Sequence, residues 1–215
     1  MIVLGIHTAS AACELALLRN GACLGVRHEA MVRGQDARLP LMTKNLLTEH
    51  EIRFEDIDRY AVITGPGSFT GIRVGVAFAR GLALSSDGVA IGVTSLEAAL
   101  PAGQQGSAIV ALSAQKRPPD ITFWTQNFRS GERTGDAVER PLNDLQALLN
   151  SHPHMVYGDP AALSPHLPGH TIHTAAPSAI RAAEVGADFD PDLHPPRPTY
   201  ARAPDATLPQ NKANI

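Results

Sequence analysis

The dipeptide Asn20-Gly21 constrains this chain more than any other feature of its sequence. Both residues tolerate positive φ, so the pair favours a two-residue hairpin turn whose twist matches the strands it joins. The flanking stretches, residues 13–19 (CELALLR) and 22–29 (ACLGVRHE), read as the two arms. Residues 2–8 (IVLGIHT) read as a buried strand before them. Further on, Leu39, Met42, Leu46 and Leu47 recur at helical spacing, and a helix is expected to start near Pro40, a residue suited to a first helical turn. Residues 59–64 form the next strand, a helix runs from about Ser68 to Ser86, and residues 89–94 are another buried strand. Ser95 is placed to cap a last helix, SLEAAL. A hairpin followed by helix-linked strands gives a mixed sheet with parallel additions. That order fits an α/β lobe of the actin-like ATPase (RNase-H-like) type. A Rossmann domain is excluded, because its glycine loop follows the first strand directly.

Residues 1–100 therefore make a first lobe, and Pro101-Ala102-Gly103-Gln104-Gln105-Gly106 marks its end. Residues 101–189 are expected to form a smaller second lobe, with strands at 107–113 and 120–126, a helix at 142–149 and a short strand at 155–157. Residues 190–215 are a proline-rich tail, either extended along the surface or disordered. No long internal sequence repeat is visible, although a two-lobed fold of this kind can carry a structural one.

The formal net charge is -3, and no Lys/Arg cluster stands out. Phosphate contacts dominate the affinity of nucleic-acid-binding proteins, so any role in RNA metabolism is expected to be indirect. No apolar run reaches the roughly 18 residues that span a bilayer. The opening MIVLGIHTAS lacks a basic leader region and reads as a strand, not a signal peptide, which gives a cytoplasmic expectation. With Asn20-Gly21 as the turn, Arg19 pairs with Ala22, Leu18 with Cys23 and Cys13 with His28. Cys13 and Cys23 then lie on opposite faces, too far round for a disulfide. Two cysteines are also too few for a cysteine-based zinc site.

The most informative stretch is GPGSFTGIRVG, Gly65 to Gly75. A strand ends at Thr64, and Gly-Pro-Gly permits a turn that residues with β-carbons could not make. Ser68 or Thr70 can cap the following helix. The string lacks the lysine of a P-loop, and Thr70 stands where a dinucleotide fingerprint needs glycine. Gly65, Gly67 and Ser68 are thus either a tight turn with no ligand or a phosphate-contacting loop at a helix N-terminus. Within the helix, Gly71, Gly75 and Ala79 recur every fourth residue, flanked by Val74, Phe78 and Leu82. Each helical glycine costs about 1 kcal/mol relative to alanine. Close packing would compensate, either inside the same lobe or against a helix of a second chain.

GPGSFTGIRVG, followed by ARGLAL and GVTSLEAAL, closely resembles the TsaB (YeaZ) family, as does the opening VLGIHTASAACELALLRNG. The resemblance covers residues 1–100, fades over 101–190, and returns at Tyr200-Ala201-Arg202, similar to that family's terminal Tyr-Leu-Arg. It implies an actin-like fold in two lobes, the second reduced. It implies a non-catalytic subunit of the machinery that makes N6-threonylcarbamoyladenosine beside the tRNA anticodon. The implied partners are a catalytic TsaD-like paralogue, a TsaE-like ATPase and a second copy of the chain as a homodimer, with tRNA touched only indirectly. It also turns the row Gly71, Val74, Gly75, Phe78, Ala79 and Leu82 toward an interface role.

Three departures bear on a nucleotide. His7 stands where the first strand of the family carries aspartate, and Ser113-Ala114-Gln115 replaces an Asp-Ala-Arg type motif. Gln35-Asp36-Ala37 replaces a His-Ser-Glu type segment before the first helix. A neutral imidazole does not replace a carboxylate as a hard oxygen ligand. No catalytic or metal-binding residue is therefore assigned, and ATP or ADP contact is expected only within the complex. The alternatives are an independent actin-like ATPase or small-molecule kinase, and a stand-alone homodimeric interaction protein. His166, His170 and His173 have metal-like spacing, but Pro168 and Gly169 break the helix that would align them. The absence of HExxH leaves a protease reading without support.

Overall fold

A computed structural model describes residues 1–115, 121–151 and 154–199. The first lobe is built on a five-stranded sheet ordered β3-β2-β1-β4-β5. Its strands are β1 (Ile2–His7), β2 (Ala12–Arg19), β3 (Ala22–Ala30), β4 (Arg59–Ile63) and β5 (Val89–Val93). β1, β2 and β3 are antiparallel neighbours, whereas β4 and β5 add parallel to β1. Asn20 and Gly21 both take positive φ, and Arg19 pairs with Ala22 and Leu18 with Cys23 as the turn requires. A bulge beside Leu17 then shifts the register by one, so Cys13 pairs with Glu29 and not with His28. Cys13 is buried and Cys23 exposed, and both are free thiols.

The first helix, α1 (Gln35–Glu49), begins five residues before Pro40, which lies inside it. Gly34 at φ 91° supplies the entry, and burial of Leu39, Met42, Leu46 and Leu47 outweighs the single backbone bond that the proline forfeits. α2 (Phe69–Leu84) starts where expected, with Ser68 as its cap accepting from the Gly71 amide. SLEAAL is only a 3-10 turn over Glu97–Ala99. Ser95 does not cap it: the Thr94 hydroxyl accepts from the Glu97 amide while the Glu97 carboxylate accepts from the Thr94 amide and hydroxyl. The Ser95 hydroxyl instead donates to the Pro66 carbonyl, 2.6 Å away, and pins the glycine turn.

The second lobe holds a sheet ordered β11-β10-β6-β7-β8, with β9 also on β7. Its strands are β6 (Ser107–Gln115), β7 (Thr122–Arg129), β8 (Glu132–Arg133), β9 (Val138–Pro141), β10 (Met155–Gly158) and β11 (Ile172–Thr174). Helices α3 (Leu142–Ser151) and α4 (Pro160–Leu163) cover one face. The last helix, α5 (Ala179–Asp188), lies in the stretch assigned by sequence to the second lobe, yet it packs on the first sheet. Ala179, Ala182 and Ala183 join the first core, and Gly5 of β1 leaves room for the Ala179 carbonyl. Side chains of neighbouring β4 residues point to opposite faces: Ala61 meets Gly186 of α5, and Val62 meets Gly75 of α2. The first sheet is therefore covered on both sides. Leu96, Ala99 and Leu100 of the first lobe pack with Ala108, Val110, Phe128 and Tyr157 of the second and join the two.

Residues 190–199 run back across the first lobe as a strap, a turn over 191–194 followed by 195–199 without regular structure, and Tyr200-Ala201-Arg202 lies outside the described residues. No described helix is long and apolar enough to cross a membrane.

Candidate functional site

The carboxyl ends of β1 and β4 meet at the glycine turn, and both predicted features fall there. Gly65 takes φ 111° and Gly67 φ 159°, values that side chains disfavour. Amides at the turn and the start of α2 are taken by the chain itself. The Ser68 amide donates to the Ala9 carbonyl at 2.7 Å, and a β-carbon on Gly67 would sit 2.3 Å from that oxygen. The Gly71 amide is taken by the Ser68 hydroxyl. On the other side, a β-carbon on Gly65 would lie 2.8 Å from the Thr199 carbonyl of the strap. The loop's glycines are thus explained by close approach of the chain's own backbone.

The glycine row of α2 is explained in the same way: where an interface was expected, its small residues face their own lobe. Gly71, Gly75 and Ala79 are buried. A β-carbon at Gly71 would lie 1.9 Å from the Thr8 carbonyl, and one at Gly75 2.4 Å from the Thr8 hydroxyl. Thr8 itself donates its hydroxyl to the Gly71 carbonyl at 2.7 Å. The row lets α2 sit on the β1–β2 turn, so it has no surface to offer a second chain. Val74, Phe78 and Leu82 are only partly buried. Phe78 and Leu82 line a groove of about 330 Å³ together with Pro40, Lys44 and Leu47 of α1. Val74, Phe78 and Leu82 form a half-buried flank beside α1, while Phe69, Arg73, Ala77, Arg80, Gly81 and Leu84 lie on the exposed face of the helix.

His7 ends β1 at 3% exposure. Burial pulls its pKa down to about 4, against the opposing pull of Glu14 and with a smaller push from His28. The ring is therefore neutral at pH 7. One ring nitrogen, Nε2, lies 3.0 Å from the Ser10 hydroxyl, and Nδ1 has no hydrogen-bond partner among the described residues. Glu14, opposite His7 across the strand pair, accepts from the Ala179 amide and faces His28. Ser113 lies two residues before the end of β6 in the second lobe and lines a separate pocket with Asp159 and His166. A magnesium-bound nucleotide of the kind this fold often holds needs oxygen ligands and free amides. A neutral imidazole, a hydroxyl and a turn already filled by the Ala9 carbonyl do not suit it. Gln35, buried, reaches the Met31 carbonyl.

The loop histidines do not converge. His170 faces Asn150 and His173 packs on Tyr157. No group of three or more potential metal ligands exists among the described residues. Helix α5 was not foreseen, although Ser178 followed by the alanine-rich run to Ala187 is a legible cap and helix signal. The prolines on either side masked it.

Two mixed α/β sheets in this order define a protein of the actin-like ATPase fold. The ROK hexokinase of Thermus thermophilus has that architecture, with a TM-score of 0.52 at 11% identity over 87% of this chain and 97% of its own. YeaZ from Pseudomonas aeruginosa superposes with a TM-score of 0.71 at 22% identity, covering 93% of this chain and 99% of that one. Residues 11–162 match the family described as TsaD, tRNA N6-adenosine threonylcarbamoyltransferase. The "tRNA threonylcarbamoyladenosine biosynthesis protein TsaB" of Escherichia coli (strain K12) is 34% identical over 148 residues, 66% of this chain. This chain belongs to that family, on its TsaB (YeaZ-like) side. The match spans 63% of the length of the Escherichia coli relative.

Proposed function

We propose that this chain is an accessory subunit in tRNA N6-threonylcarbamoyladenosine formation. On this proposal it supports a catalytic TsaD-like paralogue in the cytoplasm and performs no chemistry itself. The pathway rests on the names of its relatives. The accessory role rests on one observation: the strand ends and turn where a nucleotide would sit carry a neutral, buried His7, a serine at 113 and a loop filled by its own backbone. The partner surface is the flank of α2, with Val74, Phe78 and Leu82 beside α1. The same flank serves a second copy of the chain when the paralogue is absent. A TsaE-like ATPase acts on the assembled pair, any ATP or ADP contact is completed only there, and tRNA is met through the paralogue.

The test is complex formation with the TsaD-like protein of the same organism on a sizing column, followed by reconstituted modification of tRNA. Phe78→Gln is expected to weaken the complex at least tenfold while leaving a folded protein. Undiminished complex formation by that variant would remove the proposed surface. Modification activity by the isolated wild-type chain with magnesium and ATP would remove the accessory role.

A further inference from the structure

The edge of the first sheet at β5 carries an occupant from its own chain. The Gly92 amide points out of that edge and donates to the His194 carbonyl at 2.8 Å. The strap then crosses the strand ends, and the Thr199 amide donates to the Thr64 carbonyl at 2.8 Å. Two glycines make room for it. A β-carbon on Gly92 would lie 2.6 Å from the Pro195 carbonyl, and one on Gly65 2.8 Å from the Thr199 carbonyl. The base of the strap is fixed by Arg59, which donates to the Phe189 carbonyl at 2.6 Å, and by Phe189 stacked on His194 at 3.7 Å.

The composition of the strap suits that place. Residues 190–199 include Pro191, Pro195, Pro196 and Pro198. Proline fixes φ and removes an amide, so the segment is restricted before it docks and loses little entropy on docking. It offers carbonyl acceptors to the outward Gly92 amide while presenting few donors to solvent, which stops further strands from pairing on an otherwise open edge.

We propose that the β5 edge and the Gly65 turn form a binding site for a proline-rich peptide segment. Residues 190–199 are its resident occupant, and the same residues of a second copy of this chain are the partner that can replace them. A segment held mainly at its ends opens locally at far lower cost than the lobe unfolds. The Gly92–His194 and Thr64–Thr199 main-chain hydrogen bonds supply affinity, and the two side-chain-free positions supply selection for a closely approaching backbone.

The experiment uses the full chain with Thr199→Pro, which removes the amide that donates to Thr64 and leaves the site intact. Hydrogen exchange at Gly92 is expected to speed up at least tenfold, while the Val62 amide inside the sheet keeps its wild-type rate. A labelled synthetic peptide of residues 190–199 is expected to bind this variant at least tenfold more tightly than wild type, whose own strap competes. Adding Gly92→Ala fills the groove and is expected to abolish peptide binding. A control that makes no demand on folding is the same peptide with proline at its Thr199 position, expected to bind the Thr199→Pro chain tenfold more weakly. Unchanged Gly92 exchange in Thr199→Pro would overturn the proposal. So would equal peptide affinity for variant and wild type, or equal affinity of the two peptides.

Discussion

The two lobes repeat one plan at different scales. In the first, the β1–β2 hairpin is extended in parallel by β4 and β5. In the second, the β6–β7 hairpin is extended in parallel by β10 and β11. Helix α2, between β4 and β5, has 16 residues, whereas α4, between β10 and β11, has 4. A long helix needs a long seat, and the first lobe supplies one by removing side chains at Gly71 and Gly75. A single turn needs none. The first lobe is also closed by α5 on its far face, whereas the second borrows Leu96, Ala99 and Leu100 from the first. The lesson is that the glycines of α2 belong to the cost of a complete lobe, which seats the helix through bare backbone positions.

The sharpest way to break that comparison is to put a side chain into the seat. Gly71→Val would drive its β-carbon into the Thr8 carbonyl, a backbone atom that cannot swing aside. Overpacking of this kind costs about 3 kcal/mol or more. The melting temperature is expected to fall by roughly 6–12 °C for a chain of this size. A variant that melts like wild type, yet no longer binds its partner, would restore the row as an interface.

The strand ends differ in acid response. His7 of the first lobe titrates at about 4 when folded and near its ordinary 6.5 when unfolded. Above about pH 6.5 both states are neutral and the contribution is complete. As pH falls toward 4, the unfolded chain takes up a proton that the folded chain refuses, so stability drops by roughly 3 kcal/mol across that window. His7→Gln, measured by denaturant titration between pH 7 and 4, is expected to flatten that limb. Ser113, at the matching position of the second lobe, has no such response to lose. An acid limb unchanged by His7→Gln would mean that another group carries it.

The second lobe has one close glycine of its own. A β-carbon on Gly158 would lie 2.4 Å from the Ala111 carbonyl and 2.5 Å from Leu163 of α4. Leu163, on a single-turn helix, can shift in response, whereas the Ala111 carbonyl is strand backbone and keeps part of the cost. Gly158→Ala is expected to cost about 1–2 kcal/mol by denaturant titration, less than the change at Gly71. An equal cost at both sites would show that the short helix is as rigidly seated as the long one.

The same contrast explains what the sequence made legible. The first lobe announces itself through Asn20-Gly21, a helical row of leucines and GPGSFTG, each a local signal with a local cause. Its elements fall within a few residues of where those signals put them. The second lobe is made of short strands such as Glu132–Arg133 and Ile172–Thr174, which pair through tertiary context and leave almost no periodicity. The glycine row was legible as a close approach, but not as to what approaches. Spacing says that a backbone comes near Gly71 and Gly75, and only the register of β1 against β4 shows that it belongs to Thr8. Nor could spacing say that Thr199 and Pro195, more than a hundred residues away, explain Gly65 and Gly92.

The smallest expected effect concerns the seam between the lobes. Arg133, at the tip of the β7–β8 hairpin, lies 3.6 Å from the carboxylate of Glu97, whose own side chain is buried in the first lobe. Glu97 already holds the Thr94 amide and hydroxyl, so its charge is satisfied without the arginine. The guanidinium is well exposed, and a pair of that kind is worth at most about 1 kcal/mol. The seam is held instead by Leu96, Ala99 and Leu100 packed against Ala108, Val110, Phe128 and Tyr157. Arg133→Ala is therefore expected to lower stability by less than about 1 kcal/mol, with a single cooperative transition retained in denaturant. Two separate transitions in that variant would show that the lobes are coupled through the ion pair, and that the second lobe needs the first for more than its borrowed core.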